Sequence, residues 1–331
     1  MRVLITGATG YLGQAVTRYL VEQGEEVVAL VRPQSRSIGM RGSVRLVPGD
    51  ILNRESLEAA MEGCSSVIHL AGVVKMWLRD PRQFHRVNVD GFRQVLEVAE
   101  RHRVNRFLYA SSFVALGPTG GRVVDESHPH PGDRFRTEYE RTKFQADRVA
   151  VDRSRGGYPL VILYPTVLYG PGPATEGNLM LRVLVDCLRE AFPGYLGKGD
   201  RQIGYAYIGD VARGFHLALR KGGRGERYIL GGENVTFVEF LDLLEEVAGI
   251  SIRRRKIPFW MAELAGRLQR VRARLLGIPP NLTDGVVRVY RHDWAYSSRK
   301  AEEELGYRIT PLRDGLRETV KWLRSAGGLN G

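Results

Sequence analysis

A glycine-rich turn between a short apolar run and a helix is the feature that most constrains what this 331-residue chain can fold into. The apolar run is Val3-Leu4-Ile5, and the turn that follows at once is Thr6-Gly7-Ala8-Thr9-Gly10-Tyr11-Leu12-Gly13. Apolar residues then recur at helical spacing until Gly24, and a second apolar run covers residues 27–31. Strand, glycine turn, helix and strand within about 30 residues predict a βαβ unit with two parallel strands.

The three glycines of the turn have different structural roles. Gly7 permits the tight turn, Gly10 lets the backbone approach a ligand, and Gly13 allows the helix to pack closely on the strand. The N-terminus of the helix then presents free N–H groups to an anion such as a pyrophosphate. We therefore predict a dinucleotide site rather than a purely structural turn. Its candidate contacts are Gly7, Thr9, Gly10, Tyr11, Leu12 and Gly13.

The end of the second strand bears on which dinucleotide binds. An acidic residue at this point holds the adenosine ribose of NAD. This chain has Arg32 there, with Arg36 nearby. A guanidinium matches a 2′-phosphate in charge and in fork geometry. The sequence thus predicts a preference for NADP(H), with NAD(H) left open.

Strands and helices continue to alternate along the chain. Further apolar runs cover residues 44–47, 67–72, 106–110 and 160–164. Between them, helical spacing predicts helices over 55–61 and 81–102 and one that starts near Tyr139. Because alternating strands and helices form parallel sheets covered on both faces, the fold class is α/β, a Rossmann doubly wound parallel sheet.

The alternation loosens after Gly170, where we expect a smaller, mostly C-terminal α/β substrate-binding lobe. The predicted division has two parts. The NAD(P)-binding Rossmann domain covers 1–170, with 205–226 returning to it, and the substrate-binding lobe covers 171–204 and 227–331.

Candidate catalytic groups follow the fifth predicted strand. Tyr139 and Lys143 are four residues apart, so they share one helix face. An ammonium near a phenol stabilises the phenolate and lowers its pKa towards working pH, where general acid catalysis is efficient. Ser111 and Ser112 come directly after the strand, at the sheet edge where open α/β sheets bind ligands. A hydroxyl there can donate to the same carbonyl oxygen as Tyr139.

With these residues in place, the chain resembles the extended short-chain dehydrogenase/reductase family over essentially its whole length. Within that family it is most similar to the dihydroflavonol-4-reductase-like branch, which includes hopanoid-associated sugar-epimerase-like proteins. Besides the glycine turn, the matching elements are Asp50-Ile51, His69-Leu70-Ala71-Gly72, Asn88-Val89-Asp90-Gly91, Ala110-Ser111-Ser112, Tyr139-x-x-x-Lys143, residues 165–171 and Asp210-Val211-Ala212.

The resemblance implies roles for individual residues. Ser112 polarises the substrate, Tyr139 is the acid/base, Lys143 also bonds the nicotinamide ribose, and Asn88 is structural or part of a proton relay. Tyr164 stands where many relatives have arginine. The further contacts expected for the cofactor are Asp50, Ile51, Leu70, Ala71, Gly72, Tyr164, Pro165, Thr166 and Val167. Those expected for the substrate are Lys75, Ser112, Phe113 and Asn178.

Several reactions are compatible with this site. We favour hydride transfer to a ketone or aldehyde, or from the alcohol. A dehydratase is rejected because Phe113-Val114 follows Ser112, where that class has an Asp-Glu pair. An epimerase stays open, since the segment at Asn178 resembles one and Arg201 or Arg291 could anchor a diphosphate. A non-catalytic NADP-binding sensor is the third possibility, disfavoured by the retained Tyr139 and Lys143.

Composition restricts the partners. The net charge is +12, but the basic residues are spread along the chain among acidic ones, so we predict no nucleic-acid partner. The helix predicted over 257–276 has an apolar stripe and many arginines. We interpret it as a cap over the pocket, with membrane-surface contact as the alternative. We also predict a homodimer through the helices at 92–98 and 144–151, as the family resemblance implies.

The remaining predictions are a cytoplasmic location and no metal site. Cys64 and Cys187 match no metal or redox spacing, so we interpret them as buried thiols. The opening residues reach a glycine turn too early for a signal peptide. His128 and His130 resemble a metal pair, but no acidic or cysteine partner stands at ligand spacing, so we expect a loop over the substrate cleft.

Overall fold

A seven-stranded parallel sheet is the centre of the computed structural model, which describes residues 1–35, 44–175 and 177–325. Its strand order is β10-β6-β5-β4-β1-β2-β3, and each neighbouring pair is parallel. The order reverses between β1 and β4, so the predicted doubly wound Rossmann fold is confirmed. In chain order the strands are β1 (Arg2–Thr6), β2 (Glu26–Val31), β3 (Val44–Pro48), β4 (Ser66–His69), β5 (Arg106–Ala110), β6 (Leu160–Pro165), β7 (Val167–Tyr169), β8 (Tyr195–Leu196), β9 (Gln202–Tyr207), β10 (Arg227–Leu230), β11 (Glu233–Thr236) and β12 (Lys256–Ile257).

Helices cover both faces of this sheet, as continuous apolar strands require. One apolar cluster joins the sheet to α2, α4 and α5, and a second joins it to α1 and α7. In chain order the helices are α1 (Tyr11–Glu22), α2 (Arg54–Met61), α3 (Arg82–His85), α4 (Phe92–Arg101), α5 (Glu138–Arg155), α6 (Leu179–Leu188), α7 (Ile208–Lys221), α8 (Phe237–Ala248), α9 (Phe259–Leu276), α10 (Asp284–Val289) and α11 (Leu312–Ser325).

The single helix predicted over 81–102 is interrupted. α3 and α4 are joined by a π-helical turn, Arg86–Gly91, which contains Asn88. A side chain at Gly91 would place its Cβ 2.6 Å from the Ile51 side chain, so glycine lets this turn press against the loop after β3. Periodicity alone does not distinguish a continuous helix from one with an inserted residue.

The smaller lobe contains two further sheets. β7, β9 and β11 form one, and β8 pairs with β12 in the other. α8 and α11 pack beside the first of these sheets around Phe240, Leu244 and Leu316. Among the described residues, no helix is both long enough and apolar enough to cross a bilayer.

One strand of the large sheet differs from the predicted division of the chain. β10 lies within the range 227–331 that we assign to the smaller lobe, yet it pairs with β6 in the parallel ladder. The reason is that Tyr228, Ile229 and Leu230 are apolar and fully buried against the Rossmann helices, which only the tertiary structure shows.

Candidate active site

The glycine turn has the geometry of a phosphate cradle. Gly7 has a φ of +78°, and a Cβ there would lie 2.5 Å from the backbone nitrogen of Ala71. A Cβ at Gly13 would lie 2.0 Å from the carbonyl oxygen of Gly7. Gly10 is the N-cap of α1 and provides no side-chain cap, so the first N–H groups of the helix face the turn without a capping side chain. These residues fit the pyrophosphate of a dinucleotide.

Other predicted cofactor residues surround the cradle with different roles. The Tyr11 phenol donates to the carbonyl oxygen of Gly170 at 2.9 Å, so its side chain anchors the loop after β7. Thr9 accepts a hydrogen bond from Gln14 through its carbonyl oxygen, and Leu12 is partly buried in α1. The Tyr11 side chain is therefore engaged with this loop, and the backbone N–H groups at the start of α1 are the groups that fit a phosphate.

The adenine end of the predicted site is formed by the loops after β2 and β3. Arg32 is exposed at the end of β2. Asp50 follows β3 and accepts a hydrogen bond from the Leu52 N–H at 2.9 Å, while Ile51 is buried. Arg36 lies outside the described residues.

The predicted residues Leu70, Ala71 and Gly72 follow β4 at the same sheet edge. Just before them, His69 is buried and its Nδ1 lies 2.8 Å from the Thr6 hydroxyl oxygen. Burial, together with the Lys143 ammonium, lowers the pKa of His69 to about 3. The imidazole is therefore neutral and adds no charge beneath the cofactor site.

The two serines after β5 face different partners. Ser111 donates from its Oγ to Oδ1 of Asp147 at 2.7 Å. The Ser112 side chain lies close enough to Tyr139 to lower the pKa of its phenol. Both serines are buried. Ser112, which the resemblance indicates, is therefore the serine beside the Tyr139 phenol. Ser111 instead bonds the carboxylate of Asp147.

Tyr139 and Lys143 lie one turn apart in α5, as predicted, but the pKa of Tyr139 is shifted the other way. Burial raises the pKa of this phenol, and the nearby Ser112 hydroxyl only opposes that shift. The Lys143 Nζ donates to the carbonyl oxygen of Ala110 at 2.7 Å. Burial lowers the pKa of Lys143 to about 8, against the attraction of Asp147. The predicted lowering of the Tyr139 pKa is thus not found in the protein without bound ligands, because desolvation of the phenol has the larger effect.

Asp147 is a member of the site that the sequence analysis missed. It lies one turn beyond Lys143 on the same face of α5, so the repeated spacing of four residues is the signal that could have found it. The Tyr164 phenol donates to Asp147 Oδ2 at 3.3 Å. Burial raises the pKa of Asp147 to about 6, opposed by the Ser111 and Tyr164 hydrogen bonds and by the charges of Arg227 and Lys143.

Tyr164 therefore belongs to this buried network and not to an open pocket wall. It is fully buried on β6. The positive charge that many relatives carry at this position comes here from β10, where Arg227 pairs with Ile162 of β6 and lowers the pKa of Asp147. The sequence does not reveal this role of Arg227, because β10 and β6 are far apart in the chain and become neighbours only in the sheet.

Asn88 connects the loop after β4 to α5. Its Oδ1 accepts from the Val73 N–H at 2.7 Å, and its Nδ2 donates to the Thr142 hydroxyl oxygen at 3.0 Å. Thr142 is the neighbour of Lys143. The π-helical turn thus places an amide between the two segments, and the half-buried Lys75 lies on the loop that it holds.

The predicted substrate side is aromatic. The Phe113 ring meets Trp294 edge-on with 5.4 Å between centroids, and its centroid lies 5.9 Å from that of Tyr296. Trp294 is fully buried, and the Arg136 guanidinium lies 5.6 Å from its ring centroid. The sequence analysis missed Trp294, since it comes 181 positions after Phe113.

The segment after β6 carries buried polar atoms. Pro165 and Thr166 are buried and Val167 begins β7. Among the described residues, neither the Thr166 hydroxyl nor the Asn178 Oδ1 has a hydrogen-bond partner. Buried polar atoms are normally satisfied, so both positions fit contacts with a bound molecule.

The two arginines considered as diphosphate anchors already face carboxylates. Arg201 lies 3.3 Å from Asp293 Oδ2, and Arg291 lies 3.0 Å from Glu263 Oε1. Arg291 also covers the Phe259 ring. These contacts reduce the positive charge that either residue offers to a diphosphate.

The histidine pair has loop contacts. His130 packs against the rings of Phe135 and Phe144, which also contact each other, and lies 3.4 Å from Glu140 Oε1. His128 lies 3.1 Å from the carbonyl oxygen of Pro118. The searched part of the chain, which is the described residues, contains no cluster of metal-ligating side chains.

The parallel sheet, the glycine cradle at its switch point and the serine, tyrosine and lysine beside it define a dinucleotide-dependent oxidoreductase of the Rossmann class. A model of the NAD dependent epimerase/dehydratase family matches residues 3–231. The chain belongs to this family, as an extended NAD(P)-dependent short-chain dehydrogenase/reductase, and the predicted resemblance is confirmed.

Three relatives are similar over nearly the whole chain. A putative dihydroflavonol 4-reductase of Synechocystis sp. is 31% identical, over 98% of this chain and 94% of its own. Sterol demethylase protein B of Methylococcus capsulatus is 30% identical, over 99% of each chain. The 4-hydroxy-2-methyl-3-oxo-4-farnesyl-3,4-dihydroquinoline-1-oxide ketoreductase of Stigmatella aurantiaca is 32% identical, over 96% of each.

Solved structures have the same fold. The crystal structure of gox2253 is 30% identical, covers 98% of both chains and superposes with a TM-score of 0.83. A UDP-glucose 4-epimerase of Thermotoga maritima, crystallised with UDP-glucose, is 23% identical with a TM-score of 0.80, over 98% of this chain and 99% of its own. At that identity the likeness shows the fold alone.

Proposed function

We propose that this enzyme reduces a ketone or aldehyde with a largely apolar body, or oxidises the corresponding alcohol, with NADP(H). The observation that carries the proposal is the proximity of the Ser112 and Tyr139 side chains, with Lys143 one helical turn from Tyr139 in α5 and the glycine cradle at the same sheet edge. Two hydroxyl donors so arranged would both reach one carbonyl oxygen.

In this mechanism the bound nicotinamide supplies the hydride. Ser112 and Tyr139 donate to the substrate oxygen and hold the carbonyl. As negative charge develops there, the proton of Tyr139 moves to that oxygen. The Lys143 ammonium then stabilises the phenolate that remains. A bound cofactor and substrate strengthen this coupling by excluding water from the site.

An apolar substrate is supported by the partly buried ring of Phe113, which packs on Trp294 of the core, and by the names of relatives. One relative is named as a reductase of a farnesyl-substituted quinoline ketone, and two others as 2-alkyl-3-oxoalkanoate reductases. The second candidate is a sugar epimerase using the same residues. It is favoured by the unpartnered buried Oδ1 of Asn178 and opposed by the paired states of Arg201 and Arg291.

The test is NADPH oxidation with a panel of alkyl and aryl ketones and aldehydes, beside an epimerase assay with UDP-sugars. Turnover of an apolar ketone that falls about 100-fold or more in Tyr139→Phe supports the proposal. Tyr158→Phe is the control, because this phenol lies at the opposite end of β6 from the site. UDP-sugar epimerisation without ketone reduction would reverse the preference between the two candidates.

The cofactor preference has a separate test. Arg32→Asp is expected to lower the NADPH-to-NADH ratio of kcat/KM by about tenfold or more, because one favourable and charge-assisted contact is lost. Arg18→Asp changes the charge equally at an exposed position of α1 and leaves the ratio unchanged. An unchanged ratio in Arg32→Asp would place the selectivity elsewhere.

The proposal includes the predicted cytoplasmic location and a homodimer formed through α4 and α5. Light scattering during size-exclusion chromatography measures the oligomeric state directly. A monomeric mass at working concentration would contradict the homodimer and leave the catalytic proposal intact.

A further inference from the structure

The helix α9 is oriented with its small residues towards the protein. Its buried residues are Ala262, Gly266 and Ala273. A Cβ at Gly266 would lie 2.5 Å from the backbone nitrogen of Asp284, so α9 rests closely on the start of α10. At 3.6 residues per turn these three positions lie on one side of the helix. The side that packs is therefore the side with the smallest side chains.

The opposite side of α9 is large, apolar and exposed. At 3.6 residues per turn its five members fall within an arc of about 80°, centred about 180° from the buried side. The exposed stripe consists of Trp260, Leu264, Leu268, Val271 and Leu275, with exposed fractions of 65%, 52%, 62%, 53% and 78%. A helix at a protein surface normally has the reverse arrangement, with its apolar stripe facing the core.

The stripe differs from the other exposed apolar side chains of the described residues. Those outside the α9 region occur singly, for example Leu46 on β3 and Val123 in the loop after β5. Isolated exposed apolar residues are normal, whereas contiguous ones mark interaction surfaces. The end of α9 extends the same surface through Leu276 and Ile278.

Basic residues border the exposed stripe on both sides. Arg267 and Arg274 lie along one border and Arg272 along the other, and all three are exposed. The segment before the helix adds the exposed Arg253, Arg255 and Lys256. An apolar stripe with basic borders complements a bilayer interface, where acyl chains meet anionic headgroups. A second copy of this chain would bring like charges together along both borders.

We propose that α9 docks this protein on the surface of an anionic lipid bilayer, with the exposed stripe inserted among the acyl chains and the arginines on the headgroups. α9 is connected to the candidate site through α10. A Cβ at Gly285 of α10 would lie 2.7 Å from the carbonyl oxygen of Arg136, two residues before α5 begins with Tyr139 in its first turn. The docking is independent of the reaction, and it brings the site near a source of apolar substrates.

The experiment is co-sedimentation of the full chain with vesicles of phosphatidylcholine alone or of phosphatidylcholine mixed with phosphatidylglycerol. We expect binding to the anionic vesicles that falls at high salt, and little binding to phosphatidylcholine. Leu264→Glu/Leu268→Glu is expected to abolish it. Arg267→Gln/Arg272→Gln/Arg274→Gln is expected to weaken it at least about tenfold, since each charge near an anionic surface contributes.

Val123→Glu is the matched control, because it adds a carboxylate at another exposed apolar position and should leave binding unchanged. Thermal unfolding and NADPH affinity of every variant, measured without vesicles, show whether it is folded. The proposal would be overturned by wild-type protein that stays in the supernatant with anionic vesicles, or by a folded Leu264→Glu/Leu268→Glu variant that sediments as well as wild type. A dimer that this variant converts to a monomer would also overturn it, by showing a second copy on the stripe.

Discussion

Two helices of equal length, α5 and α9, depart from the usual distribution of side chains in opposite directions. Each has 18 residues. α5 buries the polar side chains of Lys143 and Asp147, each with a named partner, whereas α9 exposes Leu268 and its apolar neighbours. A buried charge is costly unless it is paired, and an exposed apolar stripe is costly unless something covers it. The buried polar groups of α5 therefore have their partners within this chain, while the exposed stripe of α9 is shaped for an external partner.

The largest effect is expected when the buried ammonium of Lys143 in α5 is removed. Lys143→Met is expected to lower kcat/KM for carbonyl reduction by about 100-fold or more, because the phenolate of Tyr139 loses its stabilising charge. Since burial lowers the pKa of Lys143 to about 8, wild-type activity should fall as pH rises through about 8. That limb should be missing from the residual activity of Lys143→Met, while the exposed Lys198→Met keeps it. A wild-type profile that is flat from about one pH unit below the Lys143 pKa to about one unit above it would contradict this role.

The buried side of α9 should be sensitive to added volume. Gly266→Ala is expected to destabilise the protein by about 1–3 kcal/mol, because its Cβ collides with the Asp284 backbone. Ala265→Ser, at the exposed neighbouring position, is the control. Chemical denaturation measures the free energy of unfolding of both. Equal stability would show that α9 does not rest on α10 as described.

Substitution of Asp147 tests whether its buried carboxylate positions the Lys143 ammonium. Asp147→Asn is expected to reduce kcat by about tenfold with little change in NADPH affinity, because the carboxylate attracts the ammonium. Burial raises the pKa of Asp147 to about 6 from its ordinary 3.8, so the stability linked to the neutral carboxyl is fully present below 3.8 and is lost as pH rises through about 6.

Asn does not titrate, so the melting temperature of Asp147→Asn should vary less with pH than that of wild type across this window. Asp152→Asn, at an exposed position of α5, keeps the wild-type dependence. Parallel curves for wild type and Asp147→Asn would show that the carboxyl is not desolvated.

The smallest expected effect is at the exposed stripe in the absence of lipid. Leu268→Ala should change the free energy of unfolding by no more than about 0.5 kcal/mol, whereas the same substitution at the fully buried Leu244 should cost about 2–5 kcal/mol. Denaturation of both variants under one set of conditions makes the comparison. A large loss for Leu268→Ala would mean that the stripe is covered within the protein, and the contrast between α5 and α9 would disappear.

Local patterns predicted most of the large sheet. β1 to β6 follow apolar runs, and α1 begins directly after the glycine turn, because runs of apolar residues and glycine conformations are properties of neighbouring residues. The π-helical turn around Asn88 was not predicted, since an inserted residue leaves almost the same apolar spacing. The predicted division places β10 in the smaller lobe, because a strand of four residues carries no pattern that identifies the strand with which it pairs.

The sequence by itself determined the class of site, because a glycine cradle and the spacing of Tyr139 and Lys143 are encoded by residues close together in the chain. Tertiary structure alone decided the environment of those groups: that desolvation raises the pKa of Tyr139, and that the charges of Lys143 and Arg227 both act on the buried Asp147. It also decided which side of α9 faces outwards. Burial and long-range charge depend on what the fold brings near a side chain, and no local pattern contains that information.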